Sequence, residues 1–74
     1  MALDKLRMIL AVQMGADPDM IKLDTDIVND LGADSLDIAE LLMSIESEFG
    51  VLLTEEMVAE VHTIRELIAL IGKG

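Results

Sequence analysis

The sequence has no cysteine, no tryptophan and no tyrosine, and its one aromatic residue is Phe49. Without cysteine there is neither a disulfide framework nor a thiolate metal site, which fits a reducing compartment. Without rings to fill space, the core has to be built from Leu, Ile, Val and Met. Basic residues are scarce: five Lys and Arg stand against fifteen acids, for a net charge of -10. That argues against nucleic acid, whose phosphates require a basic surface, and against binding to an anionic membrane surface. Partners with basic patches are expected instead, with attraction that speeds encounter and weakens with salt. Self-repulsion of this size also predicts a fold that salt or divalent cations stabilise. Long apolar runs are missing too, since stretches such as Met8 to Val12 fall far short of a bilayer span. The start Met1-Ala2-Leu3-Asp4-Lys5 has no basic region before an apolar one. No signal peptide is expected, and a cytoplasmic location is.

What is present is a hydrophobic fraction of 53% in 74 residues. That is enough for one compact core and leaves no room for a second. A single domain over 1–74 is expected, too small for an enclosed site with several catalytic residues.

The spacing predicts an all-α fold: a small four-helix bundle with a long loop after helix 1 and a short third helix. Leu3, Leu6, Leu10 and Met14 recur at helical spacing, and Gly15 ends that helix at the usual left-handed position. Asp17-Pro18-Asp19 reads as a turn. From Met20 to Ala33 runs a long connection whose apolar residues Ile21, Leu23, Ile27, Val28 and Leu31 are expected to pin it to the core. A connection of this length is often functional. Asp34, with Asp37 three residues on, makes a capping-box-like start for a helix over Ser35 to about Phe49, closed by Gly50. Val51-Leu52-Leu53 reads as an apolar loop. Thr54 caps the short third helix, whose first residues Glu55 and Glu56 suit the helix dipole. Thr63 and Glu66 form a capping box for the last helix. Its stripe is Ile64, Leu67, Ile68 and Ile71, and Gly72 is expected to end it.

The second helix has two faces. At 100° per residue, Ile38, Leu41, Leu42, Ile45 and Phe49 form a core stripe. Leu36 and Met43 fall on the opposite side, among Asp37, Glu40, Glu46 and Ser47. Two large apolar side chains ringed by carboxylates suit either a solvated face or a transient docking surface for basic partners.

Ser35 stands at the head of that face. No His or Lys adjoins it in sequence to activate it as a nucleophile. If it takes part in chemistry, another protein modifies it. The only histidine, His62, has no partner nucleophile and reads as a structural or solvent-facing residue. Acidity and six methionines raise the possibility of a calcium sensor. An EF-hand loop starting at Asp24 would need Gly and Glu where Asn29 and Ser35 stand, so that motif fails.

The run Asp30-Leu31-Gly32-Ala33-Asp34-Ser35-Leu36-Asp37 continues into Glu40-Leu41-Leu42-Met43 and Glu46-Ser47-Glu48-Phe49. It resembles the acyl carrier proteins of the dissociated fatty-acid-synthase type, over nearly the whole chain. The resemblance implies that Ser35 carries a 4′-phosphopantetheine arm, transferred from coenzyme A by a phosphopantetheinyl transferase. It implies a carrier and not an enzyme, holding acyl groups as thioesters on the arm's thiol and delivering them to acyl-transfer and fatty-acid-synthesis enzymes. It places Asp34, Leu36, Asp37, Glu40, Met43 and Glu46 on the partner-facing helix. It also implies an acyl pocket between the second and third helices, with Ile27, Val28, Leu41, Ile45, Leu53, Val58 and Val61 as lining candidates. A shuttle that exposes its docking helix is expected to be a monomer.

The chain departs from the family pattern at several positions. Ser47 stands where an acid is usual, Ile27 where an aromatic is frequent, and Gly50 and Leu52 where polar residues are common. Met57 and Val58 make the third helix unusually apolar. These departures leave open a specialised carrier for a polyketide or other acyl-modification pathway. An unmodified acidic docking module is the reading from a different class.

Overall fold

The computed structural model describes residues 2–73, so Met1 and Gly74, the outer limits of the expected domain, lie outside it. Its helices are α1 (Ala2–Met14), α2 (Ser35–Phe49), α3 (Glu55–Val58) and α4 (Ile64–Lys73), with a single 3₁₀ turn at Pro18–Met20. The described residues contain no strand, only one isolated bridge between Asp26 and Thr63. The all-α bundle expected from spacing is the fold observed.

The core is aliphatic. Leu6 and Leu10 from α1, Leu41, Leu42 and Ile45 from α2, and Ile64, Leu67 and Ile71 from α4 are buried together. Phe49, the lone ring, is only half-buried at the edge of this cluster, with the Lys5 ammonium 5.4 Å from its centroid. Close packing therefore rests on branched side chains meeting at helical spacing.

The helix ends follow their local signals. α1 stops at Met14, where Gly15 turns left-handed and its N–H reaches the Ala11 carbonyl. α2 begins on a complete capping box. The Asp34 carboxylate accepts from the Asp37 N–H at 2.9 Å, and the Asp37 carboxylate accepts from the Asp34 N–H at 3.1 Å. Gly50 closes it with a φ of 68°. Thr54 caps α3, and Thr63 and Glu66 cap α4 reciprocally.

Two expectations fail. Gly72 does not end α4, which continues through Lys73; Gly72 takes no left-handed turn, and the buried Ile71 anchors that last stretch. A helical glycine costs about 1 kcal/mol, less than the burial of one such side chain contributes. The long connection is pinned by Ile21 and Ile27, both buried, and by half-buried Leu31, but Leu23 and Val28 are exposed.

Main-chain bonds hold the rest of that connection. The first-turn N–H groups of α4 lack helical partners, as at every helix start. Ile64 N–H donates to the Thr25 carbonyl at 3.1 Å and Arg65 N–H to the Leu23 carbonyl at 2.9 Å. In return, Ile27 N–H donates to the His62 carbonyl at 2.8 Å. The Arg7 Nε donates to the Ile21 carbonyl, and the Arg65 guanidinium pairs with Asp24 at 2.9 Å. The loop that leads to Ser35 is thus tied to both α1 and α4.

Candidate functional site

Ser35 is exposed, the first residue of α2. One tight turn before it sets its position. The Asp26 carboxylate accepts from the Val28 and Asn29 N–H groups at 2.9 and 2.7 Å and from the Asn29 amide at 3.1 Å. The Asp26 carbonyl takes the Asp30 and Leu31 N–H groups, and the Asp26 N–H donates to the Asp30 carboxylate. Gly32, with a φ of 73°, then reverses the chain. Only glycine takes that region at no steric cost. Ala33 follows, buried, with its N–H on the Ile27 carbonyl. Asp34 and Ser35 come next. The serine is therefore delivered by a hydrogen-bonded loop onto a capped helix.

Those bonds show in the acidities. The Asp26 carboxyl is held below its ordinary value, chiefly by the Asn29 N–H, with the Asn29 amide, the Val28 N–H and the His62 charge adding to it. Glu66 is likewise lowered, first by the His62 N–H and then by the Thr63 N–H and hydroxyl.

Beside Ser35 lies a groove of about 480 Å³ between the loop, α2 and the α3 region. Its apolar wall is Val28, Ile38, Val58 and Val61 with Ala33 and Ala59; its polar members are Asp34, Ser35, Glu55 and His62. Of the expected pocket residues, Val28, Val58 and Val61 line this groove. Ile27, Leu41, Ile45 and Leu53 sit in the core cluster beneath it.

Along α2, Asp34, Leu36, Glu40, Met43 and Glu46 are exposed, whereas Asp37 is half-buried and occupied by the capping box. Leu36 and Met43 keep 67% and 70% of their surface in water, so both apolar anchors face outward. No Lys or Arg lies on α2. A larger groove of about 610 Å³ separates α1 from α2 and runs past Met8, Val12 and Met43. It does not include Ser35, so chemistry and not size selects the groove beside the serine.

This geometry suits a covalently attached phosphate ester. The Ser35 and Leu36 N–H groups have no hydrogen-bond partner among the described residues, so two donors are free where such a group would attach. A model of the phosphopantetheine attachment site family matches residues 4–71, a span that contains Ser35. The chain belongs to the acyl carrier protein family. It is 38% identical over 69 residues to the acyl carrier protein of Bdellovibrio bacteriovorus, covering 93% of this chain and 88% of that one. It is 39% identical over 70 residues to that of Solidesulfovibrio magneticus, covering 95% and 90%. A third acyl carrier protein, from Phaeodactylum tricornutum, is 39% identical over 64 residues, covering 86% and 84%. Members of this family carry covalent 4′-phosphopantetheine, and the family is one of carriers. The arm supplies a thiol for thioester formation, which a carrier without cysteine cannot provide from its own side chains. Among the described residues, no helix of the carrier is long and apolar enough to cross a membrane, and no group of His, Asp or Glu is placed to hold a metal ion.

Sequence reasoning overlooked three features of the carrier's surface. Ile38, assigned to the core stripe, is half-buried and forms part of the groove wall. His62 lines the same groove as Ser35. On α1, Met8 and Val12 are exposed, and their i, i+4 spacing off the Leu3-Leu6-Leu10 stripe is a signal the sequence does carry.

Proposed function

We propose that this chain is an acyl carrier whose phosphopantetheine is attached at Ser35, and that it delivers thioester-bound acyl groups to fatty-acid-synthesis enzymes. The observation that carries this reading is the position of Ser35: exposed at the first residue of a capped helix, beside free N–H donors and an apolar groove. Asp34, Leu36, Glu40, Met43 and Glu46, with Asp37 behind them, form the docking face. The phosphopantetheinyl transferase and the acyl-transfer enzymes meet it with basic patches around apolar hollows. The carrier performs no catalysis. A tethered arm raises the local concentration of cargo at each partner's active site. The groove walled by Val28, Ile38, Val58 and Val61 shelters the first part of the acyl chain. Ile27, Leu41, Ile45 and Leu53 would have to part for a longer one. We place the carrier in the cytoplasm as a monomer, a single domain over 1–74, in keeping with its charge of -10.

The test is an intact mass spectrum before and after incubation with a phosphopantetheinyl transferase and coenzyme A. One phosphopantetheinyl group is expected on the wild type and none on Ser35→Ala, which should fold normally. Modification of the Ala variant would overturn the assignment.

A further inference from the structure

The groove beside Ser35 poses an electrostatic problem. A phosphodiester on the serine carries a negative charge, and the charged side chains lining that groove are Asp34 at the helix head and Glu55 on α3. Among the described residues, no Lys or Arg side chain lines it. Arg7 is engaged with Asp4 and the Ile21 carbonyl, Arg65 with Asp24, and Lys5 lies over Phe49. Among the described residues, the single one in the groove able to take a positive charge is His62, the only histidine of the chain.

His62 is exposed, yet its main chain is fixed. Its carbonyl accepts from Ile27 N–H at 2.8 Å and its N–H donates to the Glu66 carboxylate at 3.3 Å. The first bond ties the His62 main chain to the loop that delivers Ser35, and both residues line the same groove. The other charged groups near the imidazole are Asp26 and Glu66. Asp26 is occupied by Val28 and Asn29, and Glu66 by Thr63 and the His62 N–H itself. Asp34 is likewise occupied by the Asp37 N–H.

We propose that the His62 side chain donates a hydrogen bond to the phosphodiester that joins the arm to Ser35, and thereby sets the direction in which the arm leaves the protein. This rests on Ser35 being the attachment site. The bond is charge-assisted when the imidazole is protonated, and such bonds are about twice as strong as neutral ones. Histidine is the residue whose ordinary titration falls between pH 5 and 8. A phosphodiester remains a monoanion throughout that range and has no titration of its own there.

The experiment is ³¹P NMR of the holo-carrier between pH 5 and 8, with full modification verified by intact mass, on the wild type and on His62→Gln. The glutamine retains hydrogen-bonding groups and leaves the main-chain bonds in place but takes no charge. The expected result is a phosphodiester resonance that shifts with pH through one inflection in the wild type and stays flat in the variant. A flat wild-type resonance, or an inflection that persists in the variant, would overturn the proposal. Failure to gain any phosphopantetheinyl mass would overturn the attachment at Ser35 and this inference with it. A merely structural His62 would not give its pH profile to a phosphorus nucleus.

Discussion

Asp34 has two roles in this structure, and a pair of substitutions separates them. Its carboxylate caps α2 through the Asp37 N–H at 2.9 Å, and its charge stands at the head of the acidic face. Asp34→Ala removes both. Loss of an N-cap costs about 1 kcal/mol, which lowers the melting temperature of a domain this small by roughly 4–8 °C. Asp34→Asn keeps the cap, because asparagine ranks with aspartate at that position. It forfeits an attraction to the helix dipole of about 0.3–1 kcal/mol and relieves one unit of self-repulsion, so its stability should stay within about 0.5 kcal/mol of wild type. Both variants lack one negative charge of the proposed docking face. A rim charge is worth about 0.2–1 kcal/mol, so kcat/KM for phosphopantetheine transfer should fall roughly 1.5- to 5-fold in each. The loss should shrink as salt is added. Thermal unfolding by circular dichroism and transferase kinetics at two salt concentrations provide the readouts. If Asp34→Asn is as unstable as Asp34→Ala, the side-chain cap is not what holds the start of α2. If Asp34→Asn is modified at the wild-type rate in low salt, the transferase does not read that charge.

Ile45→Ala, at a fully buried position of α2, should cost about 2–5 kcal/mol. A domain of this length has only about 4–11 kcal/mol in total, so a sharply lower urea midpoint or outright unfolding is expected; a midpoint near wild type would mean that the core beneath the groove is loosely packed. Glu66 is more acidic folded than unfolded, so its contribution is complete above the ordinary carboxylate range and is lost as pH falls through its lowered value. The melting-temperature gap between wild type and Glu66→Gln should therefore be widest above the ordinary carboxylate range and narrow as pH falls through the lowered value, and a gap that does not vary with pH would count against the capping role of the carboxylate.

What the sequence made legible was local. Asp34 with Asp37 and Thr63 with Glu66 are three residues apart, and the bonds they make are those their spacing predicts, because a helix start is decided within one turn. The outward position of Leu36 and Met43 likewise follows from the 100° step alone. The misread positions depend on contacts distant in sequence. Val28 and Ile27 are neighbours of equal apolar character, yet one is exposed and the other buried. The segment is held by the Ile27 N–H bond to the His62 carbonyl, 35 residues away, a pairing that no local spacing announces. His62 had no local feature to suggest that it shares a groove with Ser35. The pocket residues expected from family resemblance divide in the same way, Val28, Val58 and Val61 on the groove wall and Ile27, Leu41, Ile45 and Leu53 below it.

The attachment between the long connection and the first turn of α4 is made of main-chain atoms: Leu23 and Thr25 carbonyls, Ile64 and Arg65 N–H groups, Ile27 N–H and the His62 carbonyl. Every residue type except proline offers both groups, so these bonds do not depend on which side chains occupy those positions. Evolution can therefore rewrite Lys22, Leu23 or Val28, retuning what a partner enzyme meets around the serine, without displacing the serine itself. A protein that many enzymes must recognise gains a surface free to diverge on a frame that stays put.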